Sequence, residues 1–234
     1  MDNMAGDRAL ARSPFSLSFN WTFVPTVLEE PIVAGYAPVR LPTEGLGLQA
    51  IGHIGCIGSV QLARLFHWKR HQIRRMLAEQ KLVQHRLKKN KNTIPIFTLG
   101  PRGVDLFKMD QPVNSWRQWS IESVLSKLVF FQFCCALQEK QKGFQILPAA
   151  WPFTGKVQMG EHIRYVLVLR GTEDVAALER ELRHCSQPII VLSDNLENVF
   201  PYNHVLTAAH LLLDQDLRED YKFMRQRAGE WQRS

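Results

Sequence analysis

Residues 58–107 decide the fold: GSVQLARLFHWKRHQIRRMLAEQKLVQHRLKKNKNTIPIFTLGPRGVDLF. Ser59 suits a helix N-cap, and Val60, Leu62, Ala63, Leu65 and Phe66 supply an apolar face for the helix after it. His67 and Trp68 make a short turn. Residues 69–80 read as the next helix, with Ile73, Met76 and Leu77 facing inward at i, i+3 and i+4. Its outward set is Lys69, Arg70, His71, Arg74 and Arg75. Residues 82–87 and 93–99 then read as two strands around a polar, cationic tip at 88–92. Thr98-Leu99-Gly100-Pro101-Arg102-Gly103 closes the hairpin and leads into a short helix over 104–109. Upstream, Leu46, Leu48, Ile51, Ile54 and Ile57 recur at helical spacing, although Gly45, Gly47, Gly52, Gly55 and Gly58 weaken that helix. Three helices followed by a hairpin predict a winged helix-turn-helix domain over residues 45–110.

Charge follows the same boundaries. Between Lys69 and Arg102 the chain holds ten Lys/Arg and one acid, Glu79, a local charge of +9. The whole chain carries +7, so the remainder is net −2 and the basic charge is local. A recognition helix needs an apolar stripe on the domain and a basic face toward the major groove. Arg forks onto guanine, whereas Lys and the hairpin residues neutralise phosphate. The expected DNA-binding set is Lys69, Arg70, His71, Arg74 and Arg75 on the helix, with Arg86, Lys88, Lys89 and Lys91 on the hairpin. The plain alternative for any one of them is a solvated face. His71 and His85 are expected to meet phosphate or solvent rather than a metal. Trp68 is expected in the core beside the turn.

The same residues carry a resemblance. Gln61-Leu62-Ala63-Arg64-Leu65-Phe66, the Arg-rich helix after it and the Thr98–Gly103 closure resemble the winged-helix segment of the replication-relaxation proteins of Gram-positive plasmids and mobile elements. The resemblance is confined to that segment. It implies a DNA-binding accessory of plasmid replication or conjugative processing, or a regulator, and no catalysis.

Residues 1–44 form a Pro-rich arm in which Pro14, Pro25, Pro31, Pro38 and Pro42 exclude long helices. Within it Phe15, Leu17, Phe19, Trp21 and Phe23 alternate with Ser16, Ser18, Asn20 and Thr22. Period-2 alternation puts five large apolar side chains on one face of a strand. That arm, residues 14–23, either packs on the chain's own core or docks on a partner protein by strand addition. Residues 111–142 hold a linker helix over 120–140. Ile121, Val124, Leu125, Leu128, Phe131 and Cys135 share one side of it, and Val129, Phe130 and Phe133 widen the stripe. So broad an apolar surface must be buried, either between domains or in a homodimer.

Residues 143–234 read as a small α/β domain. Strands are expected over 144–149, 162–170 and 188–193, with a helix from Thr172 or Glu173 to His184. A further helix is expected over 204–213, before a charged and partly helical tail. Strand, helix and strand in succession predict a right-handed parallel βαβ unit. The fold class is therefore α+β: a winged helix-turn-helix domain joined by a long helix to a small α/β domain with a βαβ unit.

Little in this half suggests chemistry. A nuclease would need carboxylates at strand ends to hold Mg²⁺, and the strand over 165–169 has none. Glu161, Glu173, Asp174 and Asp194 read as helix starts and turns, although Ser193-Asp194 sits where ligands often bind in α/β sheets. There is no phosphate-binding or dinucleotide glycine motif. Cys56, Cys134, Cys135 and Cys185 lack zinc spacing. No catalytic residue, metal or cofactor is expected. The N-terminus has no apolar signal region, and the longest apolar run, 128–137, is about half a membrane span. A cytoplasmic protein with no membrane partner is expected. The function expected is non-catalytic binding of double-stranded DNA. The alternatives are a protein-interaction module in an assembly and a metal-dependent nuclease.

Overall fold

Pro42 opens the first helix. A proline is tolerated at the first helical position, where its missing N–H has no partner to lose. In the computed structural model α1 spans Pro42–Ile54. The structure describes residues 15–29, 37–110, 112–141, 143–218, 221–227 and 229–233. α1 thus begins inside the arm expected to hold no long helix. It ends before Ile57, which lies in the two-residue strand β2 (Ile57–Gly58). Leu48, Ile51 and Ile54 are buried, but Leu46 is exposed. Gly47 has a packing reason: a Cβ there would lie 2.4 Å from the buried Trp68 ring. Trp68 lies on the helix instead, and its Nε1 donates to Thr43 O at 3.1 Å.

The second helix, α2 (Ser59–Phe66), starts one residue earlier than the cap pattern predicts. Gly58 is its N-cap. Gln61 supplies the capping contact, its Oε1 accepting from Gly58 N–H at 2.9 Å while its Nε2 donates to Leu128 O at 2.6 Å. Leu62 and Leu65 face inward, whereas Val60 and Ala63 are exposed, contrary to the expected apolar face. His67 adopts the left-handed conformation (φ 56) and ends α2. After it, α3 spans Arg70–Ala78, shorter at both ends than the periodicity suggests. Met76 is buried, and Ile73 and Leu77 pack half-buried against the core.

The hairpin strands are longer than expected and the turn tighter. β3 (Leu82–Lys89) and β4 (Asn92–Leu99) meet at Asn90-Lys91, with Asn90 at φ 53. The chain continues into α4 (Pro101–Leu106). The aromatic arm contributes β1, which spans only Trp21–Val24 and pairs antiparallel with the outer edge of β3. The first sheet therefore runs β1-β3-β4-β2, all antiparallel.

α5 (Ile121–Lys140) is capped by Ser120, whose Oγ accepts from Ser123 N–H at 3.2 Å. Its apolar surface is buried inside the chain, from Val124 and Leu125 through Phe130, Phe131 and Phe133 to Leu137. Among the described residues it is the one helix long and apolar enough to cross a membrane, and most of that span is buried within the fold. The stripe, expected either between domains or in a homodimer, packs against the chain's own core. The cluster it anchors is continuous from Leu48 in α1 to Leu212 beyond it.

The second sheet has seven strands among the described residues. They are β5 (Phe144–Leu147), β6 (Gly155–Met159), β7 (His162–Leu169), β8 (Ile189–Ser193), β9 (His210–Leu213), β10 (Met224–Arg227) and β11 (Glu230–Arg233). The order is β11-β10-β9-β8-β7-β6-β5. β7, β8 and β9 are parallel and the other pairs antiparallel. α6 (Val175–Arg183), capped by Asp174, joins β7 to β8. Alternation sorts the two faces. Val166, Val168, Ile190, Leu192 and Leu212 join the α5 cluster, while Leu167, Leu169, Val191, Leu211 and Leu213 pack with Leu178 and Leu182 of α6.

One expectation fails in this half, one holds in part and one strand is additional. No helix covers 204–213: that run ends in β9, because a short apolar run buried in a sheet has no periodicity to separate it from a helix. The tail, expected to be partly helical, begins with a 3-10 helix (Asp214–Arg218) and continues into the β10–β11 hairpin around Gly229, at φ 86. β6 is an additional strand that pairs with β7 through the Gly160 turn.

Gly47→Ala tests the helix–tryptophan contact. Helix propensity alone favours alanine by about 1 kcal/mol, but overpacking against the fixed Trp68 ring costs about 1–3 kcal/mol. Net destabilisation is expected in denaturant unfolding, and a stabilised variant would show that the ring yields.

Candidate nucleic-acid interface

The tight α2–α3 turn brings the basic side chains of α3 to the surface. Lys69, Arg70, His71 and Arg74 are exposed, and none has an acid partner among the described residues. Lys69 N–H is capped by Gln72 Oε1 at 2.7 Å, which fixes the start of the helix without using the Lys69 side chain.

Arg75 departs from the expected DNA-binding set. It is half-buried and its Nη2 donates to Glu44 Oε2 at 2.6 Å, with Nε 3.8 Å from Glu79 Oε1. The centre of that cluster is Lys81, a residue the sequence reading passes over. Its side chain has no exposed surface. Nζ reaches Glu44 Oε1 at 2.6 Å, Pro38 O at 2.7 Å and Glu79 Oε2 at 2.8 Å. Arg40 Nη2 completes it, 2.6 Å from Glu79 Oε1. Burial raises the Glu79 carboxyl, but the hydrogen bond and charge of Lys81, with Arg40 and Arg75, outweigh it and hold the group below its ordinary value. Arg75 and Lys81 therefore tie α3 and the start of β3 to α1. The only cue in the sequence was Glu79, the lone acid within a cationic run.

The hairpin divides its cations by strand alternation. Arg86 and Lys88 are exposed on one face of β3, and Lys91 is exposed at the tip. Lys88 is flanked by Thr22 of β1 and Thr93 of β4, and Arg86 by Val24 and Pro95. Lys89 points to the other face and is half-buried. Its Nζ stands 3.0 Å over the Phe19 ring and 5.3 Å from that of Trp21, so it holds the aromatic arm by cation–π attraction.

His85 departs from its expectation. It meets neither phosphate nor solvent, having no exposed surface. Thr26 N–H donates to Nδ1 at 2.9 Å, which leaves the proton on Nε2, facing Thr98 Oγ1 at 2.9 Å. The rings of Trp116 and Phe23 lie 5.0 and 5.7 Å away. Burial lowers the imidazole to a pKa of about 4, so it stays neutral at the centre of the β1–β3–β4 junction.

The strand ends of the second sheet hold another buried ion cluster. Arg170 follows β7, Asp194 follows β8 and Asp214 follows β9. Arg170 Nη1 lies 2.7 Å from Asp214 Oδ2 and 3.8 Å from Asp194 Oδ1. Asp194 also accepts from Ser16 Oγ and Asn198 Nδ2, both at 2.8 Å. Glu173 accepts from the backbone N–H groups of Arg170 and Gly171 at 2.7 and 2.8 Å. The position flagged by Ser193-Asp194 is thus tied to the arm and neutralised by an arginine. The described residues contain no group of three His, Cys, Asp or Glu that could hold a metal. Burial pushes the Cys56 and Cys135 thiols up to about 12, which keeps them protonated at neutral pH.

Comparison of the chain with protein-family models, curated proteins and solved structures finds no match.

Two outcomes separate fold residues from surface residues here. Arg75→Ala is expected to cost about 2 kcal/mol in denaturant unfolding, the value of a charge-assisted bond, whereas Arg74→Ala stays within about 0.5 kcal/mol of the native chain. Equal effects would contradict the division. His85 also makes stability depend on pH. The unfolded imidazole takes up its proton near its ordinary value of 6.5 and the folded one at about 4, so stability falls as pH drops through that window. The drop is about 3 kcal/mol for this group. His85→Gln should flatten the stability profile between those limits, and an unchanged slope would show that His85 is not its source.

Proposed function

We propose that the chain is a non-catalytic protein that binds double-stranded DNA through a winged helix-turn-helix. The observation that carries the reading is the separation of charge on α3. Arg75 is drawn into an internal ion cluster, while Lys69, Arg70, His71 and Arg74 are left exposed with no acid partner among the described residues. An exposed cationic face on a helix that follows a short turn is suited to the major groove. Arg86, Lys88 and Lys91 on the adjoining hairpin suit phosphates on either side of it.

Topology supports the same reading. Helix, short strand, helix, helix and hairpin follow in that order, and β2 pairs with β4 so that the hairpin is joined to the start of α2. In a winged helix this arrangement fixes the wing relative to the recognition helix. The departure is β1, which adds a strand to the free edge of the wing. The resemblance of residues 58–107 to replication-relaxation proteins supports a role in the replication, transfer or transcription of a plasmid or mobile element. In the second half, the parallel pair β7–β8 with α6 between them supports a βαβ unit in a small α/β domain.

The test is fluorescence anisotropy with duplexes enriched by binding selection, over a salt series. Arg70→Ala/Arg74→Ala is expected to weaken binding by about 1–3 kcal/mol per base-contacting arginine. Lys88→Ala is expected to weaken all duplexes alike and to reduce the log–log salt slope by about 1. A native chain that shows no salt-dependent duplex binding, or a double variant that binds like it, would overturn the reading.

A further inference from the structure

A second cationic surface lies on the other sheet, at the N-terminal end of its parallel strands. The register places Arg164 of β7, His210 of β9 and Arg225 of β10 on one face. His210 is aligned with Val166 through Ile190 of β8 and stands directly opposite Arg225. Arg164, two residues before Val166, lies on that same face by alternation. Arg225 Nε donates to His210 Nε2 at 3.0 Å. The imidazole is therefore a neutral acceptor, and burial together with the charges of Arg225 and Arg164 holds its pKa below the ordinary value. His162 precedes Arg164 on this face, and Arg227 follows Arg225. The described acid there is Glu230, cross-strand from Arg227. Neither Arg164 nor Arg225 forms an ion pair among the described residues. Most other arginines on this sheet's side have partners: Arg170, Arg183 and Arg233 each meet a carboxylate.

The last turn of α5 joins this surface to the turn before α3. On one side Gln138 Nε2 donates to Leu65 O at 3.4 Å, and Glu139 pairs with Arg64 of α2. On the other, Lys140 Nζ donates to Tyr221 O at 3.0 Å and lies 4.1 Å over the Tyr221 ring. Tyr221 contacts Phe223 (5.5 Å between rings), and Phe223 contacts His210 (5.4 Å). A continuous path of side chains therefore runs from the C-terminal end of α2 to Arg225. The C-terminal end of α5 thus meets the end of α2, just before the turn into α3, on one side and the residues leading to the His210–Arg225 face on the other.

We propose that the Arg164–His210–Arg225 face is a second phosphate-binding surface, which holds the backbone of the same duplex beyond the stretch covered by α3 and the wing. The proposal rests on the DNA-binding reading above. Two guanidinium groups on one sheet face that form no ion pair among the described residues suit a polyanion. A stiff sheet face suits non-specific backbone contact more than base readout.

The experiment compares two duplexes carrying the same selected sequence, one of about 12 base pairs, little more than a helical turn, and one of about 30. Full-length native chain, Arg164→Ala/Arg225→Ala and Arg164→Lys/Arg225→Lys are measured by anisotropy across salt, with thermal melting as a check on folding. The alanine pair is expected to lose about tenfold in affinity on the long duplex, with a salt slope smaller by about 2. It should bind the short duplex like the native chain, and the lysine pair should bind both like the native chain. Native-like binding of the long duplex by the alanine pair would overturn the proposal while leaving the α3 reading intact. Equal loss on both duplexes would overturn it too, by making these arginines part of the first site or of the fold. Absence of duplex binding by the native chain would sink the underlying reading and this surface with it.

Discussion

A lysine with no exposed surface organises the front of this molecule. Lys81 sits between α3 and β3, and its ammonium reaches carboxylates from α1 and from the end of α3. A buried charge is tolerated only with close partners, and removing one leaves the other uncompensated. The angle at which α3 leaves the core therefore depends on Glu44 and Glu79 staying ionised and in place. Arg75 shares those carboxylates, which turns one side of α3 inward. The remaining basic residues of the helix face outward by consequence.

The β3–β4 hairpin depends on a second internal contact. β3 would be an edge strand, with unpaired backbone groups open to other chains. β1 covers that edge, and the arm is held by Lys89 over Phe19 and Trp21, by Ser16 on Asp194 and by the neutral His85 beneath. The arm thereby links the β3–β4 hairpin to the strand ends of the second sheet. α5 provides the broader connection. Its apolar surface packs on α2 and on the central strands of the second sheet alike, so both sheets share a core around one helix.

Strong local signals were readable. The α2–turn–α3 spacing, the hairpin, the burial of Trp68 and the extent of α5 all follow from apolar period and turn residues, and the structure agrees with them. Weak or ambiguous signals were not. His210 to Leu213 reads equally as helix or strand, because a buried run shows no amphipathic period. β6 is five residues long with Gly155 at its start, too little pattern to stand out. Of the nine expected contact residues, seven are on exposed surface. Arg75 and Lys89 are not, since their partners Glu44 and Phe19 lie far from them in sequence.

The sequence by itself determined where the charge is concentrated, which segments alternate at period 2 or 3.6, and that the long helix had to be buried. Those are local properties, set by neighbours within a few residues. Only the tertiary structure decided which cations remain free. A lysine or arginine reads the same in sequence whether it meets solvent, a carboxylate or an aromatic ring, and its partner is chosen by chain segments that folding brings together. Lys81 and Arg75 were thereby drawn inward and Arg74 left outside, and Arg164 and Arg225 came to share a face although β8 and β9 separate them in the chain.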